Sequence, residues 1–298
     1  MKCQHGRSMK RCLACNGVFA GEEWTCPFCK HSPDVEDNFL RFAPELALHN
    51  CDYDPKHFDL LFALEDNSFW FQARNHLIVW ALRRFFPKAE RIMEIGVGTG
   101  FVLRAIRQAF PNAILYGSDI HVAGLQFAAA RLGGRLDLMQ MDARRIPFRE
   151  HFDVVCAFDV LEHIRDDQAV LDEIRLSLRP DAGVVFTVPQ HMFLWGPADE
   201  AAFHERRYQT TELAAKVRAA GFEVIFKTSF VSILLPLLWL SRRRSRKSGK
   251  YDLARELAVA PALNRCLSGI SAIENVLIRA GIALPVGGSQ LLVATRRR

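Results

Sequence analysis

The feature that most constrains the fold of this chain is a glycine-rich segment that directly follows a short apolar run. Residues 94–101 read E-I-G-V-G-T-G-F, and a helical pattern begins at their end. Glycines let the backbone turn sharply and approach a ligand closely, and the N-terminus of a helix favours negative groups. A strand, a glycine loop and a helix in this order predict a ligand site in an α/β domain.

Two details of this loop separate it from the loops of nicotinamide and flavin enzymes. The dinucleotide pattern G-x-G-x-x-G would begin at Gly96 and require a glycine at position 101, which is Phe101. An acidic residue, Glu94, also stands two places before the first glycine. The loop therefore departs from the dinucleotide-binding pattern.

Downstream of the loop, short apolar runs alternate with helical stretches. The apolar runs are 92–95, 114–116, 136–141, 154–158 and 184–188, and the helical stretches are 101–110, 122–132, 166–178 and 210–220. Such alternation predicts βαβ units, and hence a parallel, Rossmann-like sheet with helices on both faces. Further strands are predicted over 222–230 and 290–295, the second after a helical segment.

Composition divides the chain into four predicted regions. Residues 1–33 are rich in cysteine, and residues 34–90 are predicted to form a helical extension, most clearly over 68–86. Residues 91–230 form the predicted ligand-binding domain, and 231–298 a helical, basic insert followed by the last strand. Half of all residues are hydrophobic, so a large disordered fraction is excluded.

Acidic residues follow the predicted strands where a nucleoside could bind. Asp119 ends the second strand about 20 residues beyond the glycines, where a carboxylate can accept ribose hydroxyls. Asp142 and Ala143 follow the third strand, and Phe158 and Asp159 end the fourth. Since parallel strands end at one edge of a sheet, these residues are expected to line one site.

Together these motifs resemble the class I S-adenosylmethionine-dependent methyltransferases of the type 11 group, over roughly residues 91–190. The resemblance implies that S-adenosylmethionine is the cofactor. It implies that Glu94 faces the methionine ammonium group and that Gly96 and Gly98 line the methionine moiety.

The same resemblance assigns the nucleoside half of the cofactor. Asp119 would bind the ribose, and Asp142 with Ala143 would contact the adenine. Backbone around Phe158 and Asp159 would close the site. An alternative is a Rossmann domain that binds another nucleotide, or none.

Methyl transfer needs alignment and exclusion of water, and a base only where the acceptor must lose a proton. The candidate catalytic residues are His163, which follows the fourth strand, and His204 and Tyr208 in the loop 199–208. That loop resembles a subset of these methyltransferases with D-E-x-x-x-H-x-R-R-Y here, and the subset also carries F-W-F-x-x-R-N, found at residues 69–75. The alternative is structural: solvated histidines, and a tyrosine packed on the sheet.

Four cysteines form two C-x-x-C pairs in the N-terminal region. Cys12 and Cys15 are separated by ten residues from Cys26 and Cys29. Four thiolates complete a tetrahedral site, so the pairs predict a structural zinc in a ribbon-like module. A metal-free or redox pair is the alternative, and Cys3 and His5 are alternative ligands.

Late in the chain an apolar stretch meets a basic run. Residues 230–240 are apolar nearly throughout, and residues 242–250 hold six basic residues. The stretch is about half the roughly 20 residues that span a bilayer, but its composition suits the headgroup boundary of an anionic membrane. A buried helix with a solvated charge run is the alternative. No apolar secretory segment occurs in residues 1–15, so we expect a cytoplasmic protein with peripheral membrane contact.

These patterns favour an enzyme that methylates a small-molecule or lipid-linked acceptor. One alternative is an RNA methyltransferase whose ribbon and basic run grip nucleic acid. Against it, residues 159–162 read D-V-L-E and not the N/D-P-P-Y/F motif of enzymes that methylate exocyclic amines of bases. Another alternative is a regulator that binds S-adenosylmethionine without catalysis.

Overall fold

The computed structural model describes residues 9–49, 56–133, 136–248 and 259–297. The strands are β1 (Met9–Arg11), β2 (Val18–Ala20), β3 (Asp34–Glu36), β4 (Phe39–Arg41), β5 (Arg91–Ile95), β6 (Ile114–Asp119), β7 (Asp137–Gln140), β8 (Phe152–Phe158), β9 (Leu178–Pro189), β10 (Phe222–Phe230) and β11 (Ser289–Arg296). The helices are α1 (Pro44–His49), α2 (Lys56–Leu64), α3 (Phe69–Phe85), α4 (Phe101–Ala109), α5 (Val122–Leu132), α6 (Asp167–Ser177), α7 (Pro197–Ala201), α8 (Glu212–Ala219), α9 (Leu235–Ser248) and α10 (Pro261–Arg279).

A mixed sheet with the strand order β10-β11-β9-β8-β5-β6-β7-β4-β3 forms the centre of the molecule. Neighbours from β9 to β7 pair in parallel, whereas β11 pairs antiparallel with both β9 and β10. The chain leaves β5 first toward β6 and later returns to β8 on its other side. This reversal creates a crevice at the carboxyl ends of the strands, where open α/β sheets bind ligands.

Helices cover both faces of the sheet, so the predicted Rossmann-like fold is confirmed. Apolar residues of α6 and α8, such as Val170 and Val217, pack on one face. Residues of α3, α4, α5 and α10, such as Ile78 and Ile278, pack on the other. The parallel strands are apolar and buried along nearly their whole length because both of their faces are covered.

The helical extension predicted over residues 34–90 begins later than expected. Residues 34–41 form the hairpin β3–β4, and β4 pairs in parallel with β7 at the edge of the sheet. Asp37 and Asn38 both adopt positive φ angles, 51° and 65°, which a two-residue type I′ hairpin turn requires. The remaining described residues of this region form α1, α2 and α3, the last close to the predicted 68–86.

The cysteine-rich region packs against the sheet domain. Its strands β1 and β2 pair antiparallel, and the Trp24 ring lies 4.8 Å from Phe42 and 5.4 Å from Phe148, both edge to face. Arg11 forms an ion pair with Glu173 on α6. The small module therefore has a fixed place on the larger domain. Cys3 and His5, the alternative zinc ligands, lie outside the described residues.

In the described part of the late insert, α9 and α10 lie between the antiparallel strands β10 and β11. Helix α9 continues from the apolar stretch into the basic run, so one helix has an apolar first half and a basic second half. Residues 249–250, the end of that run, lie outside the described part. Within the described ranges, no helix combines the length and apolar character needed to cross a bilayer.

Candidate functional site

The predicted cofactor residues all line one open cavity of about 1090 Å³ at the carboxyl ends of the parallel strands. They are Glu94, Gly96, Gly98, Asp119, Asp142, Ala143, Phe158 and Asp159. The same cavity is lined by residues of the loop after α7 and by the apolar part of α9. The topology thus brings together residues that are distant in sequence, since Glu94 and Asp159 are 65 positions apart.

Glycine is required at the start of the loop after β5. Gly96 has φ +71°, and a Cβ atom placed on it would lie 2.3 Å from Cγ2 of Val160. Any side chain would therefore displace either the loop or Val160. Gly98, at φ +48°, donates its backbone N–H to Oδ2 of Asp119 at 2.9 Å, which ties the loop to the end of β6. The backbone of this loop is therefore held in place as part of the cavity wall.

Glu94 places a buried carboxyl group in the wall of this cavity. Its side chain is on the buried strand β5, and the residue is only 2% exposed. Its Oε2 atom has no hydrogen-bond partner in the described part of the chain. Burial raises the pKa of Glu94 well above its usual range, and Arg74 opposes this rise. A cationic ligand group would satisfy the free oxygen and favour the ionised form.

Asp119 and Asp142 present carboxylates at the ends of β6 and β7. Asp119 accepts the backbone N–H of His121 at 2.9 Å in addition to that of Gly98. Burial raises the pKa of Asp119, although these backbone bonds oppose it. Asp142 forms an ion pair with Arg144 at 2.9 Å. Both carboxylates therefore have fixed orientations, and each oxygen can accept a further hydrogen bond.

Helix α3 contributes a residue to which the sequence analysis gave no role. Arg74 forms an ion pair with Asp159, and its guanidinium group lies over the Trp70 ring, 4.5 Å from the centroid. Both residues line the cavity. The F-W-F-x-x-R-N element over residues 69–75 contained this signal, because its arginine and aromatic residues share one end of α3. The contact fixes Asp159, which has a positive φ of 56°.

The two predicted catalytic histidines also line the cavity, and they contact each other. The rings of His163 and His204 are 4.7 Å apart, edge to face. Nδ1 of His204 lies 2.9 Å from Oδ1 of Asp199, and Asp199 is itself held by Nε of Arg207 at 2.7 Å. His163 is exposed at the surface and lines the open cavity, and the protein packed around its ring together with His204 lowers the pKa of His163 to about 3. Its imidazole is neutral at physiological pH.

Glu162, which the sequence analysis did not select, lies beside the two histidines. A ligand atom of each of the three residues lies within 4.8 Å of the others. Glu162 is 0% exposed, and neither of its carboxylate oxygens finds a hydrogen-bond partner among the described residues. Burial raises the pKa of Glu162 well above its usual range, as does Asp159. No pattern in a single sequence distinguishes such a carboxylate from a solvated one.

Tyr208, the third predicted catalytic residue, is not among the residues that line the cavity. It is fully buried in the core between the sheet and α6, and its hydroxyl donates to Oδ2 of Asp167 at 2.6 Å. The hydroxyl is thus occupied by a structural bond away from the cavity. His191, another histidine at a strand end, is absent from the lining as well, although it too is described and buried.

The four cysteines converge in the N-terminal module. The Sγ atoms of Cys12 and Cys29 are 3.5 Å apart, those of Cys15 and Cys26 are 3.7 Å apart, and all four lie within 4.8 Å of one another. Zinc–sulfur bonds of about 2.3 Å in a tetrahedron place sulfur atoms roughly 3.8 Å apart. The donor set and its spacing fit a tetrahedral zinc ion.

Several known proteins with similar sequences are named methyltransferases. A family model described as a methyltransferase domain matches residues 93–186. The ubiquinone/menaquinone biosynthesis C-methyltransferase of Desulfotalea psychrophila is 25% identical over 181 residues, 51% of this chain and 74% of that protein. A Mycolicibacterium smegmatis protein named "Probable S-adenosylmethionine-dependent methyltransferase" is 27% identical over 216 residues, 71% of this chain and 81% of that protein.

A solved structure shares the fold. Phosphoethanolamine N-methyltransferase 2 of Haemonchus contortus, in complex with S-adenosyl-L-methionine, superposes with a TM-score of 0.56 at 18% identity. The superposition covers 86% of this chain and 60% of that enzyme, so this chain spans less than two thirds of its length. At this identity the likeness concerns the arrangement of the sheet and helices.

Proposed function

The chain is an S-adenosylmethionine-dependent methyltransferase of class I, and on that premise we propose that it methylates a small-molecule or lipid-linked acceptor. One observation carries the proposal. The cavity that contains Glu94 and Asp119 is also lined by apolar residues of the insert, among them Leu234, Leu237 and Leu238. A cavity with an apolar wall suits an acceptor with an apolar body.

The polar residues at the strand ends fit the methionine part of the cofactor. The unpartnered oxygen of Glu94 would bind the ammonium group, and the space beside Gly98, where no atom lies within 4 Å of a Cβ position, would be open to the methionine moiety. When bound, S-adenosylmethionine supplies a methyl group on a positively charged sulfur, whose carbon–sulfur bond breaks as the bond to the acceptor forms. The chain's part is to orient both partners and exclude water.

The nucleoside part fits the next two strand ends. Asp119 would accept the ribose hydroxyls, while Asp142 and Ala143 would contact the adenine. Backbone at Phe158 and Asp159 would close the site, since Arg74 holds Asp159 in place. Each of these assignments remains a prediction that a binding measurement on the corresponding variant can test.

The histidine pair supplies a place for the acceptor's proton. Because a carboxylate can only accept, Nδ1 of His204 donates to Asp199, and its Nε2 atom is the ring nitrogen left to accept. Arg207 fixes Asp199, so the tautomer and the ring orientation are both set by the protein. In this arrangement His204 accepts a proton from a hydroxyl or amine acceptor, and His163 lines the same part of the cavity.

Helix α9 supports contact with a membrane or an amphiphile. The side chains of Leu237 and Trp239 are 51% and 41% exposed. Leu237 also lines the cavity. The guanidinium group of Arg243 lies 5.3 Å from the Trp239 ring centroid. Exposed apolar and aromatic side chains followed by arginines suit the boundary of an anionic bilayer. A lipid-linked acceptor would then reach the cavity directly along α9.

Vesicle flotation tests this part of the proposal. The protein is mixed at low salt with phosphatidylcholine vesicles that contain or lack phosphatidylglycerol. We expect flotation with the anionic vesicles, lost in the double variant Leu237→Ser/Trp239→Ser. The matched control is Ile273→Ser/Val276→Ser on α10, which changes two apolar residues that are more exposed than Leu237 and Trp239. A wild-type protein that ignores anionic vesicles, or a control that loses flotation equally, would contradict membrane docking.

The proposal includes a structural zinc ion held by the four cysteines. About 25 residues surround these cysteines and bury few apolar side chains, so metal binding would supply much of the module's folding energy. Four thiolates leave no open position, which is typical of a structural and not a catalytic site. Treatment of the purified protein with a thiol-reactive mercurial should release one zinc ion per chain. Release of none would refute the assignment.

A further inference from the structure

The cluster of Glu162, His163 and His204 has a composition that the methyl-transfer proposal does not explain. A general base needs one histidine, whereas this wall of the cavity presents two imidazoles and a carboxylate whose ligand atoms lie within 4.8 Å of one another. Glu162 and His163 belong to the 3₁₀ turn Leu161–His163 after β8, and His204 follows α7. Two separate segments therefore converge on one point.

Glu162 has no hydrogen-bond partner for its carboxylate oxygens among the described residues. It is also completely buried. The two arginines whose charge reaches it, Arg74 and Arg207, are already bonded to Asp159 and Asp199. A buried carboxyl group without a partner is destabilising, and a bound cation removes that cost.

The surroundings of His204 have the form of an outer ligand shell. Metal-binding histidines usually donate their second ring N–H to a carboxylate, which fixes the ring and raises its basicity. Asp199 accepts from Nδ1 of His204 in this way, and its two oxygens are held by Arg207 and by the backbone N–H of Gly196 at 2.9 Å. His204 Nε2 is thereby left for a ligand in the cavity.

We propose that Glu162, His163 and His204 bind one divalent transition-metal ion that keeps open positions for an acceptor oxygen. Two imidazoles and one carboxylate suit Zn²⁺, Fe²⁺, Co²⁺ or Ni²⁺ better than Mg²⁺ or Ca²⁺, which prefer oxygen ligands. Adjacent ligands with metal bonds of about 2.1 Å lie roughly 3.0–3.4 Å apart. Small side-chain rotations would bring the three groups from within 4.8 Å to that spacing.

The ion would change how the acceptor is activated, and this consequence rests on the proposed function. A hydroxyl oxygen bound to a divalent cation loses its proton more readily, and the resulting oxygen anion attacks the methyl carbon. The hydroxyl proton leaves to solvent. As the oxygen–carbon bond forms, the carbon–sulfur bond breaks and its electron pair stays on the sulfur. In this proposal His204 is a metal ligand and not the base. The acceptor atom is the oxygen that binds the ion.

Metal binding is tested on the full-length protein after dialysis against EDTA, once metal analysis shows a single zinc ion per chain, the amount that the four cysteines hold. After addition of Co²⁺ and removal of the excess, visible absorption and metal analysis report how much cobalt binds and whether thiolates bind it. We expect about one Co²⁺ per chain in addition to the zinc, without the sulfur-to-cobalt absorption that the cysteines would produce. No cobalt beyond the cysteine site would overturn the proposal.

Variants locate the ion. Glu162→Gln and His163→Gln should each lose the additional Co²⁺, and Glu205→Gln, which changes a carboxylate next to His204, should retain it. Asp199→Asn should weaken Co²⁺ binding by about 10- to 100-fold through its effect on His204. Circular dichroism melting shows which variants are folded. If a folded Glu162→Gln protein binds as much cobalt as the wild type, the proposal fails.

The outcomes separate this inference from the proposed function. Cobalt that binds at the cluster while no lipid or small molecule is methylated refutes the proposed acceptor and leaves the metal site standing. Methyl transfer that is unchanged in folded Glu162→Gln protein without the additional metal refutes the metal site's role and restores His204 as the base.

Discussion

Replacing Glu94 by glutamine should weaken cofactor binding while stabilising the free protein. Burial raises the pKa of Glu94 well above 4.5, its ordinary value. Below pH 4.5 the carboxyl group is protonated in both the folded and the unfolded chain. As the pH rises above 4.5, the unfolded chain ionises first, so the carboxyl group costs stability at neutral pH. Glutamine has the same shape without that cost, and the melting temperature of the free variant should rise.

The same change removes the partner proposed for the cofactor's ammonium group. A hydrogen bond to a charged group contributes about 1.5–3 kcal/mol, so Kd should rise roughly 10- to 150-fold. Isothermal titration calorimetry should give similar losses for S-adenosylmethionine and S-adenosylhomocysteine, because both carry the ammonium group. Glu223→Gln, an exposed position on β10, is the control and should change neither quantity. An unchanged Kd, or a lower melting temperature for Glu94→Gln, would refute the reasoning.

Three further predictions concern the loop and the core. Gly96→Ala should lower the free energy of unfolding by about 1–3 kcal/mol, because alanine is strained at φ +71° and its Cβ atom would clash with Val160. Urea denaturation measures this change, and an unchanged free energy of unfolding would contradict the prediction. Tyr208→Phe should cost about 1–3 kcal/mol of stability because it loses the hydrogen bond to Asp167, and it should leave kcat unchanged. A large fall in kcat would instead support the predicted catalytic role of Tyr208. Burial tends to raise the pKa of Asp167, but Lys216, Tyr208 and Arg206 outweigh burial and lower the pKa. The ionised Asp167 therefore stabilises the fold above pH 3.8, and this contribution is lost as the pH falls further. Asp167→Asn should therefore be less stable than the wild type at pH 7 and approach it in acid; a difference that persists at pH 2 would count against this ion cluster.

The cofactor half of the molecule could be predicted from sequence because its signals are local and periodic. Strands buried on both faces are continuous apolar runs, and β10 and α5 have the predicted bounds. Glycines with positive φ and carboxylates at strand ends then follow from chain order alone. Once the parallel order is known, Glu94, Asp119 and Asp142 must meet at one edge of the sheet.

The remaining features depend on contacts between distant segments. Tyr208 lies among charged residues in sequence and looked like an active-site residue, but its hydroxyl reaches Asp167, 41 residues earlier. Glu162 cannot be recognised as unpartnered until its neighbours are known. The strands β3 and β4 have three residues each, too few for a periodic pattern, although the Asp37–Asn38 turn was a usable signal.

The most direct test of the account is methyl transfer from labelled S-adenosylmethionine into a host-cell extract, fractionated into lipids, small molecules, RNA and protein. Asp119→Ala is the control, because its carboxylate is proposed to bind the ribose. We predict label in the lipid or small-molecule fraction with the wild-type protein and none with the variant. Label in RNA or protein alone, or equal transfer by Asp119→Ala, would contradict the proposed function.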